Sequence, residues 1–415
     1  QGMDSAYDDD SMLDSHFALA NDINARGTSG WNENEDGSFA GFDPIGAAEG
    51  DFFRQFSGSL DGRGHSITGL FVGAARDTAG LFAATEGAEI RNLSLTGLRI
   101  TAGSMAGGVV ADAVATELDN VHTSGRVAVV SDFGSAVVGG VVGWMSGGTI
   151  TDSSARTAVR VDNPGGEGSS TDAGGFAGIV SSGSTIARSF STGNVTVVST
   201  GVFGVDANVG GFVGDLGGLI RDAYSSGTVR FDQTGSDSLS GGASVGGFAG
   251  THDVIEPGTM IRTAAHGAVI ANGAGLEINV GGHTGANNGT ILDSYADGAV
   301  TASSEATQNV GGLVGLTDGG TITNTYATGA VRTSGDAETR AGGLIGLNGD
   351  EDGTSTTVTA SFYDPVRTGR APNGLANYGQ AVSTAIFHDT TAFLALAGAQ
   401  GWDFARVWAP GDSGA

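Results

Sequence analysis

The sequence predicts an all-β protein: an elongated parallel β-solenoid with about one coil per 30–36-residue repeat, capped at both ends. Three observations lead there. A glycine-marked unit returns eight times: AGGVVA at Ala106, VGGVVG at Val138, AGGFAG at Ala173, VGGFVG at Val209, VGGFAG at Val245, VGGHTG at Val280, VGGLVG at Val310 and AGGLIG at Ala341. A period of this size belongs to solenoids, propellers and arrays. Seven of these units are followed by a second segment of small, polar and β-branched residues, such as "TIARSFSTGNV" (185–195) and "TITNTYATGAV" (321–331), which reads as short strands. Finally, the spacing inside this segment barely varies. It is 9 residues from Ile/Leu to Val in Leu118–Val127, Ile150–Val159, Ile186–Val195, Ile220–Val229, Ile291–Val300 and Ile322–Val331, and 8 in Ile261–Val269. Insertions fall outside it, at 230–244 and 251–259, as expected where stacked strands keep register and turns absorb extra residues.

In chain order, residues 1–78 read as an N-terminal cap and lead-in, 79–357 as the repeats and 358–415 as a C-terminal cap. The first fifteen residues, "QGMDSAYDDDSMLDS", are acidic and suit a short helix or turn over the first coil. Within the repeats, Phe176, Phe212 and Phe248 occupy equivalent positions and predict one stacked ladder; Tyr295 and Tyr326 predict a second. The paired glycines, such as Gly311 and Gly312, predict a strip of bare backbone, suited to a sharp corner or to close packing between sheets. No single unit buries enough apolar surface to offset the entropy of ordering it, so stacking is obligatory. Near the end, "DTTAFLALAGAQ" (389–400) predicts a short helix with Asp389 as N-cap. Three of the four Trp residues, Trp31, Trp402 and Trp408, lie where wide rings can seal an end coil.

Composition narrows the partners. The 415 residues include 75 Gly but only 6 Pro and no G-X-Y period, which excludes collagen. All 18 basic residues are Arg, and the net charge of −27 argues against nucleic acid or an anionic membrane. Cys is absent, so there is no thiol nucleophile and no Cys-liganded zinc. No 18-residue apolar run predicts a membrane span, and Gln at position 1 is expected of a mature or trimmed product.

The unit "VGGLVGLTDGGTITNTYATGAV" resembles the GLUG repeat of secreted bacterial surface proteins, including filamentous-haemagglutinin-like exoproteins and other adhesins. "FSGSLDGRGHSITGLFV" and "AGLFAATEGAEIRNLSLTGL" resemble the start of such regions, and "SFYDPVRTG" with "GWDFARVWAP" resembles their end. The resemblance implies a β-solenoid at the extracellular cell surface: a non-enzymatic fibre, stalk or adhesin that meets glycans, other cells or copies of itself. It supplies no catalytic residues. "VGGHTG" departs from the pattern, with His283 and Thr284 replacing an apolar pair, and the chain is expected to be one segment of something larger.

Site chemistry remains sparse at this level. A column of Asp152, Asp222 and Asp293 with Asn120 and Asn324 reads as a ladder or turn, with Arg188 as a neighbour balancing Asp222; the competing reading is the carboxylate cluster of a carbohydrate-active β-helix enzyme, a lyase or hydrolase. His283 reads as a structural histidine. Calcium is the one cofactor with candidate ligands, Asp350, Glu351 and Asp352 in "GDEDG", with "DDD" at 8–10 as a second acidic turn. Partner contact is expected at the two insertions, through Phe231, His252, Asp253 and Ile255, which are read as a local knob on an otherwise regular rod.

Overall fold

A single coil shows how the repeat folds. Gln308–Gly311 forms a strand, and the chain turns at Gly312 and Leu313 into Val314–Thr317. It runs on through Thr321–Thr323, Tyr326–Ala327 and Val331–Ser334. It then returns as Thr339–Gly342, parallel to the strand where the coil began, with Gln308 opposite Thr339 and Gly311 opposite Gly342. Side chains alternate across each strand, so Val310, Val314, Ile322 and Val331 point into the coil and are buried. This computed structural model describes residues 12–46, 54–74, 76–131, 134–163, 169–200, 205–235, 241–252, 255–335, 338–349, 356–372 and 377–408.

Repetition of that path gives a parallel β-solenoid of about 9 turns. Strands equivalent to Gln308–Gly311 make a nine-stranded sheet, from Thr78–Ala79 to Thr339–Gly342. The remaining walls merge into a 32-stranded sheet. Stacking already begins in the lead-in, where His16–Ala18 pairs with Ser59–Asp61 and that strand pairs with residues from Glu89 onward. The one irregular spacing in the sequence disappears in the fold. Met260, rather than Ile261, stands between Ile220 and Ile291, so the distance to Val269 is also 9 residues.

The paired glycines are required for space. Gly312 has an ordinary negative φ, yet a Cβ there would overlap the carbonyl oxygen of Gly343 in the next coil and lie 3.0 Å from Ala327 Cβ. Gly282 meets Gly312 and Ala296 in the same way, and Gly247 meets Gly282 and Ala265. The second glycine thus forms a column along the rod, facing a column of small residues from the opposite wall. Both expectations for the glycines are met: the chain turns there, and the two walls approach as closely as backbone permits.

Both ladders form. Phe176 and Phe212 stack at 4.7 Å between ring centroids and Phe212 and Phe248 at 4.8 Å, and the column continues to His283 at 5.1 Å. Tyr295 and Tyr326 stack at 4.8 Å. These distances equal the spacing between neighbouring strands, as one coil per unit demands.

At the C-terminal end, Gln380–Ala381 pairs with Phe362–Tyr363, and the Asn348 amide donates to the Tyr378 hydroxyl at 3.0 Å. Three short helices surround this segment: Pro365–Thr368, Thr384–His388 and Thr390–Gly398. Asp389 caps the last, accepting from the Ala392 amide at 3.0 Å. Phe393, Trp402 and Trp408 then gather against Phe362 and Tyr326, so part of the cap lies beside the final coils. Trp31, by contrast, is exposed.

Candidate functional site

The Asn/Asp column is a left-handed corner. Asn92, Asn120, Asp152, Arg188, Asp222, Arg262, Asp293 and Asn324 all have φ between +51° and +56°. Asn and Asp tolerate this conformation better than other residues that carry a Cβ. The corner interrupts the backbone ladder, and after Asp152, Arg188 and Asp293 a serine one position later bridges the interruption. Ser153 and Ser294 accept the amides of Val121 and Thr263 in the preceding coil and donate to carbonyls two residues back.

Corner side chains bond to one another along the rod. Asn120 donates to Asn92 at 3.0 Å and Asn324 to Asp293 at 2.9 Å. Arg188 forms a bidentate pair with Asp152 at 2.8 and 2.6 Å; Asp222 on the next coil also attracts its charge, as expected, but more weakly than Asp152. Asp222 is held instead by Arg262, at 2.6 and 2.9 Å. The guanidinium in each pair keeps its carboxylate below the usual range. Because the Asp152–Arg188 pair is exposed, water and salt screen it and it adds little stability, while the left-handed conformation suits Asn better than Arg. Arg188→Asn is therefore expected to keep the urea midpoint of the parent. A clearly lower midpoint would show that the pair is more than a surface contact.

Beside this corner runs an outer aromatic column. Phe190, Tyr224, Ala264, Tyr295, Tyr326 and Phe362 stand in register on successive coils. Phe190 and Tyr224 stack at 5.0 Å, as Tyr295 and Tyr326 do at 4.8 Å. At Ala264 the ring is missing. His266 leans edge-on into the gap, 6.2 Å from Tyr224 and 5.5 Å from Tyr295. Its Nδ1 lies 3.0 Å from Asp297, whose carboxylate raises the imidazole pKa. The gap belongs to a groove of about 410 Å³ between the corner and the aromatic column, with buried Ala223, Thr263 and Ala264 as its floor. Trp408 stands at one end, 6.2 Å from Tyr295.

Sequence reading did not find this groove. Its signal was Ala in place of an aromatic residue, hidden by aligning Ile261 instead of Met260. The same slip concealed Arg262 as a corner residue.

The residues expected to contact a partner separate. Phe231 lies in Val229–Gln233, a strand paired on both sides, and is fully buried. His252 is also fully buried, in register with Leu216. Neither side chain reaches the surface, because each falls on an inward position of a strand that continues the wall. Ile255 is 89% exposed. Asp253, Asp350, Glu351 and Asp352 lie outside the described residues, as do Asp8, Asp9 and Asp10 and residues 236–240 and 254 of the two insertions; much of the rest of the insertions continues the walls as strand, in Val229–Gln233, Gly242–Gly246 and Ala249–His252. Among the described residues, no group of three or more His, Asp or Glu is arranged to hold a metal.

Two buried histidines form a separate polar feature. His283 Nε2 bonds Thr263 Oγ1 and its Nδ1 bonds Thr284 Oγ1, both at 2.9 Å. Burial pushes its pKa down to about 3. Burial likewise lowers His252 to about 4, and the nearby Asn287 offsets only part of that effect.

Residues 306–332 match the GLUG motif. No curated protein sequence matches the chain. Among solved structures, the chain is similar to one described as a "putative immunoglobulin A1 protease" from Bacteroides ovatus, at 16% identity and a TM-score of 0.38, covering 93% of this chain and 83% of that one. It is also similar to a structure described as "IgA1 Protease", at 16% identity and a TM-score of 0.42, covering 72% of this chain and 22% of that one. Among the described residues, no helix is long and apolar enough to cross a membrane.

Proposed function

We propose that this GLUG-bearing solenoid is an extracellular structural module, a stalk or adhesive segment at a cell surface. The observation that carries the reading is the continuous parallel register of its nine-stranded sheet. Parallel pairing continues from coil to coil through the nine-stranded sheet, which makes the molecule a stiff spacer with a rise of about 4.8 Å per coil. The charge of −27 keeps such a repetitive surface from self-adhering without selectivity. The carbohydrate-active enzyme is the weaker reading, because the corner carboxylates are engaged as structural partners. Asp222, held ionised by Arg262, is poorly suited to be a general acid.

Antibody labelling of intact source cells tests the location, and electron microscopy of the purified chain tests the shape. Labelling without permeabilisation and rods about 40 Å or more in length, from nine stacked coils, are the expected results. Labelling only after permeabilisation overturns the surface reading. Polysaccharide depolymerisation that is abolished by Asp222→Asn or Asp293→Asn overturns the non-enzymatic one.

A further inference from the structure

We propose that the groove at Ala264 binds a pyranose unit of a glycan. The inference rests on the surface-module reading only for where such a glycan would be met. Elsewhere in the outer column, a ring on one coil covers the face of the ring on the next. Replacement of one ring by Ala264 uncovers the facing sides of Tyr224 and Tyr295, two coils apart, and His266 meets each only with its edge. Tyr224 is 39% exposed as a result. Two strand spacings separate these rings by roughly 9–10 Å, enough for one saturated ring between them once His266 swings aside.

Polar groups stand along the other edge of the groove. Asp222 and Asp293 offer acceptors, and the pairing of Arg262 with Asp222 through Nε and one terminal nitrogen leaves further donors on the guanidinium. Aromatic faces carry partial negative charge and attract the polarised C–H face of a sugar. Adjacent carboxylate and guanidinium groups can accept from and donate to its hydroxyl rim. A neutral polyol uses both kinds of partner, whereas a cation would use only the carboxylates and ring faces and leave the spare guanidinium donors unused. A volume of about 410 Å³ lies within the range of small-ligand sites.

The test is a glycan microarray followed by saturation-transfer NMR on the best-retained saccharide, with tetramethylammonium as a cationic probe. Two variants accompany the parent. Tyr224→Ala removes one platform and is expected to weaken binding at least tenfold. Ala264→Tyr combined with His266→Ser completes the column, recreating the pattern of Tyr224 and Ser226; it is expected to fold with an unchanged or higher melting temperature and to abolish binding. Absence of glycan retention, equal retention by the completed-column variant, or transfer from tetramethylammonium alone overturns the proposal. Surface labelling with no glycan retention would refute this inference while leaving the structural role intact.

Discussion

Gly312→Ala is expected to destabilise the protein by about 3 kcal/mol or more, the upper range for overpacking a core. The added methyl would overlap the Gly343 carbonyl oxygen, and Ala327 Cβ blocks escape toward the opposite wall at 3.0 Å. The main obstacle is backbone, so no rotamer change relieves the overlap. The coils must separate locally, which breaks the ladder bonds from the Gly312 amide to Gly342 and from Leu313 to Leu344. Gly27→Ala is the control, since nothing lies within 4 Å of a Cβ there. Urea unfolding followed by far-UV circular dichroism reads both. Equal midpoints would show that the glycine columns are not required for close approach.

A second large effect is expected on acidification. His283 and His252 remain neutral in the fold, with pKa values of about 3 and about 4, whereas an unfolded histidine titrates near 6.5. The unfolded chain therefore takes up protons first. Stability from these groups is complete above about pH 6.5 and is lost as pH falls toward their folded values. At pH 4.5 each has cost roughly 2–3 kcal/mol, since each pH unit below the unfolded value is worth about 1.4 kcal/mol. Asp172 acts in the opposite sense. Burial raises it to about 6, so its penalty at neutral pH is relieved by roughly 2 kcal/mol over the same fall. The net loss from these three groups is roughly 3 kcal/mol.

His283→Phe extends the Phe176–Phe212–Phe248 column by one ring and removes one of the two buried bases. Thr263 Oγ1 keeps its contact with Ser294 Oγ at 2.9 Å. The variant should match the parent within ~1 kcal/mol at pH 7 and lose about 2–3 kcal/mol less by pH 4.5. Parallel pH profiles for the two proteins would show that His283 is not the group being protonated.

The repeat was legible because parallel stacking writes one residue type into one column, and a column of glycine or phenylalanine survives changes in turn length. The left-handed corner was legible only as a recurrence of Asn and Asp, since nothing in composition states a φ angle. Arg188 and Arg262 adopt the same conformation without that signature. The groove was illegible for a sharper reason. A one-residue misalignment moves a side chain to the opposite face of a strand, and Met260 and Ile261 are both apolar, so either fits the anchor position. Only pairing with Ile220 and Ile291 decides between them. Burial of Phe231 was similarly ambiguous, because an insertion that lengthens a wall and one that forms a turn begin alike.

The corner also limits how a gene for such a rod can grow or shrink. Any unit stacks on any other through the glycine and apolar columns, so recombination between repeats can add or remove coils without rebuilding the core. Charge is less permissive. Its partners alternate along the corner, Asp152 with Arg188 and Asp222 with Arg262, followed by Asp293 with Asn324. Excising the coil that carries Arg262 brings Asp222 directly against Asp293, while excising the Asp222 and Arg262 coils together leaves Arg188 facing Asp293. Between Asp152 and Asp293, then, removing two coils together keeps opposite charges adjacent, whereas removing one does not.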